Sequence, residues 1–141
     1  MSQATATPTA PADRGQCRTI DPISKIDHID GYWQQRVIAE MNDYQFKVAK
    51  LDGDFVWHKH SDTDETFIVL EGELHIDFRG APSGDGTIVL HAGHMAVVPK
   101  GVEHRPRAQT EVKLLLIEPH GVVNTGDGEA TERTVELDQW V

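Results

Sequence analysis

Cysteine is almost absent from this chain of 141 residues: Cys17 is the only one, so no internal disulfide can form and a disulfide-framed miniature fold is excluded. Long apolar runs are missing as well. Nothing approaches the roughly 20 consecutive apolar residues of a membrane-spanning helix, so no membrane partner is expected. No basic stretch followed by an apolar block opens the sequence, so no secretory signal is expected, and a reducing cytoplasm fits the lone thiol. Positive charge is scarce: 13 Lys and Arg face 23 Asp and Glu, for a formal net charge of −10 with the histidines neutral. Such a chain repels a phosphate backbone, which argues against nucleic acid, and it steers no anionic substrate from a distance. A chain of this length builds one core with a tail, not two cores.

Residues 1–18 are rich in Ala, Thr, Pro and Ser and have no apolar period, which predicts a disordered tail with Cys17 as an exposed thiol of no special role. Asp21-Pro22 opens a short helical segment that Asp30-Gly31 closes. Strands are then predicted over Val37–Met41, Tyr44–Leu51, Phe55–His60, Thr66–Leu70, Leu74–Phe78, Thr87–Leu90, Met95–Pro99, His104–Ala108 and Val112–Ile117. Asn42-Asp43 is a two-residue turn, and Glu71-Gly72-Glu73 reads as a hairpin connection. Many short strands at close spacing, with almost no helical period between them, predict an all-β sandwich or barrel over residues 19–121. Residues 122–141 form an extension whose alternate Val135, Leu137 and Trp140 predict an edge strand or a surface packed on a neighbour.

Two blocks of the sequence carry chemistry. In the first, His58 and His60 stand two apart, so on a strand both rings leave the same face, and Glu65 opens the next strand. In the second, His104 follows the turn Pro99-Lys100-Gly101. Three imidazoles and a carboxylate from three strands suit a borderline divalent metal, and Fe, Mn, Ni, Zn and Cu all fit. Four protein donors leave coordination positions open for substrate oxygens or dioxygen. If His58 and His60 point inward, so does Val56, while Trp57 and Lys59 point out. Glu65 inward carries Phe67 and Val69 with it, and His104 inward leaves Arg105 and Arg107 outside. The lining is therefore apolar, with no second acid/base pair and no inward cationic cluster for a phosphate. That favours a small apolar or aromatic organic substrate. His28, His91, His94 and His120 lie outside the two blocks and are assigned to the surface or to places behind the ligands.

The blocks resemble the two motifs of the cupin family. The first motif is matched at His58, His60, Glu65 and Gly72, and the second at Gly93, Pro99, Gly101 and His104. Gly53 lies one residue nearer the first histidine than the pattern has it, and Ala108 stands where Asn is usual; neither is a donor position. The resemblance implies a double-stranded β-helix, or jelly-roll barrel, that holds a divalent metal on His58, His60, Glu65 and His104 and pairs as a homodimer. Among the activities it implies, dioxygenase-type oxidation of a small chelating substrate is favoured. A metal-dependent isomerase or lyase is the second reading, and a metal-containing binding or sensor module without turnover the third. Ser61-Asp62 after His60 depart from the Arg and aromatic that follow this motif in sugar-phosphate isomerases, which weighs against that branch. No side chain is assigned as catalytic acid or base.

Overall fold

The computed structural model describes residues 15–141. The tail expected over 1–18 falls mostly outside the described residues, and Cys17 is exposed. Helix α1 (Pro22–Ile26) starts where Asp21 caps it, its carboxylate accepting from the backbone N–H of Ile23 and Ser24 at 3.1 and 3.3 Å, with Pro22 preset in the first turn. Seven strands follow: β1 (Arg36–Met41), β2 (Tyr44–Asp54), β3 (Glu65–Glu71), β4 (Glu73–Arg79), β5 (Gly86–His91), β6 (Met95–Val98) and β7 (Glu103–Pro119). All pair antiparallel, in the order β1-β2-β7-β3-β6, with β4 bridging β5 and β7.

Two predicted strands merge and one dissolves. The segments expected at His104–Ala108 and Val112–Ile117 are one strand, β7, whose even-numbered residues stay buried on both sides of the exposed stretch Gln109–Glu111. Phe55–His60 is irregular, with only a bridge between His58 and His104. The predicted hairpin at Gly72 is also corrected. β3 and β4 do not pair with each other; both lie against β7, β3 along residues 113–117 and β4 along residues 103–107. Gly72 marks the crossing from one half of β7 to the other. Its φ is +92°, and a Cβ there would stand 2.7 Å from the Glu111 carbonyl oxygen. Only glycine relieves both constraints.

The sheet curls until inward residues of six strands share one core, which includes Ala49, Leu51, Phe67, Val69, Leu74, Ile76, Leu90, Val98, Val112, Leu114 and Leu116. This is the expected all-β barrel with its short N-terminal helix. A smaller cluster, Ile26, Ile29, Ile38 and Val48, seats α1 on the outside of the sheet. The C-terminal extension forms turns in place of the expected edge strand, and touches β1 through a single parallel bridge from Trp140 to Val37. Val135 and Trp140 are buried but Leu137 is exposed, because Asp138 turns the chain at a φ of +57°.

Candidate metal centre

Even-numbered residues of β7 point into the barrel, so His104 is buried, and the antiparallel bridge to His58 sets the two imidazoles side by side. The bridge is reciprocal: His58 N–H donates to the His104 carbonyl at 3.0 Å and His104 N–H to that of His58 at 2.8 Å. Gly101 N–H donates to the His60 carbonyl at 2.8 Å, tying the Pro-x-Gly turn to the first histidine pair. Glu65 opens β3 on the inward face. The structure thus brings all four predicted residues together, one donor atom of each lying within 4.8 Å of the others. Donors about 2.0–2.2 Å from a shared ion stand on this scale from one another.

Hydrogen bonds aim the rings. His58 Nδ1 donates to the Val56 carbonyl and His104 Nδ1 to the Val102 carbonyl, each at 2.9 Å, which leaves both Nε2 atoms unprotonated for the interior. His60 Nε2 is buried and has no hydrogen-bond partner among the described residues, although Glu65 Oε2 is 3.5 Å away. His104 Nε2 lies 3.3 Å from Glu65 Oε1. Burial lowers the pKa of His58 to about 3, with His104 beside it adding to the fall. Burial likewise lowers His60 and His104. All three rings are neutral at pH 7, the form in which imidazole ligates metal. A buried ring nitrogen without a partner, beside two aimed imidazoles and a carboxylate, fits a bound cation better than it fits a closed core.

The Cupin domain family matches residues 46–118, more than half of the chain. The chain belongs to the cupin family. Its similarity to a cupin-2 domain containing protein of Shewanella frigidimarina NCIMB 400, known as a crystal structure, is 53% identity over 72% of this chain and 94% of that one, with a TM-score of 0.66. It is 43% identical to the uncharacterized protein YdbB of Bacillus subtilis (strain 168), over 57% of this chain and 68% of YdbB. Hydroquinone 1,2-dioxygenase from Sphingomonas sp. TTNP3, solved with 4-hydroxybenzoate bound, shares the fold at 19% identity and a TM-score of 0.59, over 75% of this chain and 83% of that one.

This cupin also carries a buried ionic pair on its inward face, Lys47 with Glu118. Lys47 Nζ donates to Glu118 Oε1 at 2.8 Å, with the two side chains 3% and 0% exposed, and to the Val122 carbonyl at 3.2 Å. Glu118 reaches Glu65, and burial pushes both carboxyls up, Glu118 further because Glu65 stands beside it. As a carboxylate, Glu118 leaves Oε2 without a donor; carrying a proton, it becomes a donor to Glu65. The expectation of no second acid/base pair is therefore corrected. A readable signal existed: Ala49 and Leu51 face the core, so Lys47 shares their face, and Leu114 and Leu116 lead by the same period to Glu118.

A cavity adjoins the cluster. It is lined by His58 and Glu65, by Trp33, Phe55, Phe67, Leu51 and other apolar residues, and by Gln35 and Asn124. The apolar lining agrees with the reading from parity, and Phe67 and Val69 lie in the core as expected. One assignment changes. Phe55 lines the cavity, whereas Val56 packs on the core edge and lines an outer depression with Trp57 and Lys59. The chain leaves the strand after Asp54, and the two-residue period lapses there. Trp57 faces outward under the guanidinium groups of Arg79 and Arg105, 4.1 and 5.1 Å from its ring centroid. His28, His91, His94 and His120 are all exposed, which places them on the surface, one of the two expectations.

Proposed function

We propose that this cupin is a metal-dependent enzyme that oxidises a small chelating substrate with dioxygen. The observation that carries the reading is the orphaned His60 Nε2 in a cluster of three neutral imidazoles and one carboxylate, which borders an apolar cavity. His58, His60, Glu65 and His104 would hold the ion. A divalent redox metal bound there supplies a Lewis-acidic centre for substrate oxygens and electrons for oxygen chemistry. The Val56 and Val102 carbonyls keep two rings in the ligating tautomer, Glu118 and Lys47 hold the Glu65 carboxyl in place, and the aromatic wall keeps water off the substrate. A hydroquinone dioxygenase among the structural neighbours is compatible with this, at an identity that speaks for the fold alone.

A metal-dependent isomerase or lyase is the second reading, favoured by Glu118, a carboxyl placed to carry a proton beside Glu65. Elemental analysis of protein purified without chelators or nickel resin, on wild type and His60→Ala, tests the site. Near-stoichiometric iron that the variant loses, together with substrate-dependent oxygen uptake, is the expected result. Turnover without oxygen uptake would transfer the assignment to the second reading. No metal in either protein, and none taken up on reconstitution, would overturn both.

A further inference from the structure

The cavity that His58 and Glu65 share with the apolar wall is small, ≈ 40 Å³, while larger depressions reach His58 and His60 from their other sides. That is room for about three or four waters, so a ligand part seated in this cavity has only a few heavy atoms. Among the described residues its lining contains no Lys, Arg or Asp, and Glu65 is its one carboxylate. A charged tail would lose its hydration there with nothing to replace it.

Three polar side chains other than the metal-site residues reach this lining, and two are already engaged. The Asn124 amide donates to the Arg133 carbonyl at 2.8 Å and accepts from Val135 N–H at 2.9 Å. Trp33 Nε1 donates to the Asp52 carbonyl at 2.8 Å. The half-buried Gln35 side chain has no hydrogen-bond partner among the described residues. Two residues before it, Trp33 is held at a φ of +62°, a conformation that bulky residues rarely adopt. Its N–H bonds to the Lys50 carbonyl at 2.8 Å, and its ring stacks on Phe55 at 4.8 Å between centroids. Strain of this kind persists where the surroundings over-determine it, and here it fixes the wall from which Gln35 follows.

We infer that Gln35 is the specificity-determining residue of this site, selecting a small neutral chelator whose far end carries a hydroxyl, carbonyl or amide. The inference rests on the metal-centre reading above. With the Asn124 and Trp33 polar groups already engaged, the uncommitted Gln35 amide can both donate and accept, so it reads a neutral polar group and brings no positive charge to offset a carboxylate.

The test uses the full chain loaded with Co(II) and three hydroxamates that share one chelating head, followed by visible absorption. The probes are butyrohydroxamate, its isostere 3-hydroxypropionohydroxamate, and malonic monohydroxamate with its carboxylate tail. In wild type the carboxylate probe binds at least about tenfold more weakly than the hydroxyl probe. Gln35→Met shifts the hydroxyl-to-methyl affinity ratio by about three- to tenfold toward methyl, the worth of one neutral hydrogen bond. Thermal melts and cobalt content of the variant stay at wild-type values, since the Gln35 amide holds nothing else in place. A ratio moved less than twofold, with all probes binding, would overturn the assignment of Gln35. Cobalt retained with no probe binding would also overturn it, while leaving the metal centre standing. Failure to retain cobalt would fell the metal reading and this inference together.

Discussion

The two faces of strand β7 make an instructive pair, because His104 and Arg105 are adjacent in the chain and belong to opposite worlds. On the outer face, Asp77 accepts from Thr87 Oγ1 at 2.7 Å, Arg105 Nη2 at 2.9 Å and Arg107 Nε at 2.9 Å. Those hydrogen bonds hold the Asp77 carboxyl well below the usual carboxylate range against the cost of its burial. On the inner face, His58, His60, Glu65 and His104 converge with His104 Nε2 at 3.3 Å from Glu65 Oε1, and among the described residues His60 Nε2 and Glu118 Oε2 are left without a partner. A matched charge cluster holds strands together. An unmatched one, sealed in the core, costs stability that something else must offset.

Acid separates the two faces most strongly. In chelator-treated protein the buried imidazoles bind fewer protons folded than unfolded, so their contribution falls as pH drops below their ordinary value of 6.5, down to about 3 for His58. Each can cost about 1.4 kcal/mol per pH unit in that range. Glu65 and Glu118 act in the opposite sense. Their folded values are raised, so they take stability away as pH rises above the ordinary 4.5. Below about 4.5 both carboxyls are protonated in either state, and only the imidazoles act on this face. Denaturant midpoints should therefore fall gently from pH 6.5 to 4.5 and steeply beneath it. Asp77, whose folded pKa is depressed, gives up its share only as pH falls below its ordinary 3.8. A profile that stays flat on going below about pH 4.5 would show that the imidazoles are not sealed from solvent, and saturation with metal should delay the fall.

Lys47→Met breaks the inner face next. It leaves Glu118 buried without its cation, and since Glu118 can take up a proton the cost should be about 3 kcal/mol, the low end for a broken buried pair. Adding Glu118→Met should recover most of that, because no polar group is then stranded. Metal affinity should drop about 10- to 100-fold in both variants, since Glu65 has lost its support. Urea unfolding of the chelated proteins and metal competition measure the two effects separately. A double variant as unstable as the single would mean that Lys47 matters for packing rather than for charge.

How much of this was legible depended on where the two-residue period survives. His58, His60, Glu65 and His104 were readable from their spacing and their resemblance to the cupin motifs, and the structure brings them together although 55–60 is not a strand. Lys47 and Glu118 obey the same period but carry charges that favour the surface, and Glu118 lies one residue past the strand predicted over Val112–Ile117. Phe55 was not readable, since the chain leaves the ladder after Asp54 and side-chain direction there is set by the bond from Phe55 N–H to the Pro106 carbonyl. The crossing at Gly72 was not readable either. A glycine between two strands looks the same whether they pair with each other or with a third, and here the long β7 decides.

The outer face supplies the smallest effect and the sharpest control. Asp77→Asn keeps the volume and one acceptor oxygen but removes the charge under Arg105 and Arg107, whose side chains are 32% and 28% exposed. Both guanidinium groups can turn to water, and Arg105 retains its place over Trp57, so the loss should be only about 1–2 kcal/mol after solvent screening. Metal affinity should stay within about twofold of wild type, because the route from Asp77 to His104 runs through backbone that β4 and the His58 bridge already hold on either side. Competition titration beside urea unfolding measures both quantities on one preparation. Should metal binding weaken by tenfold or more, the outer ion pairs would be setting the tilt of β7 and hence the reach of His104, and the two faces would have to be treated as one coupled unit.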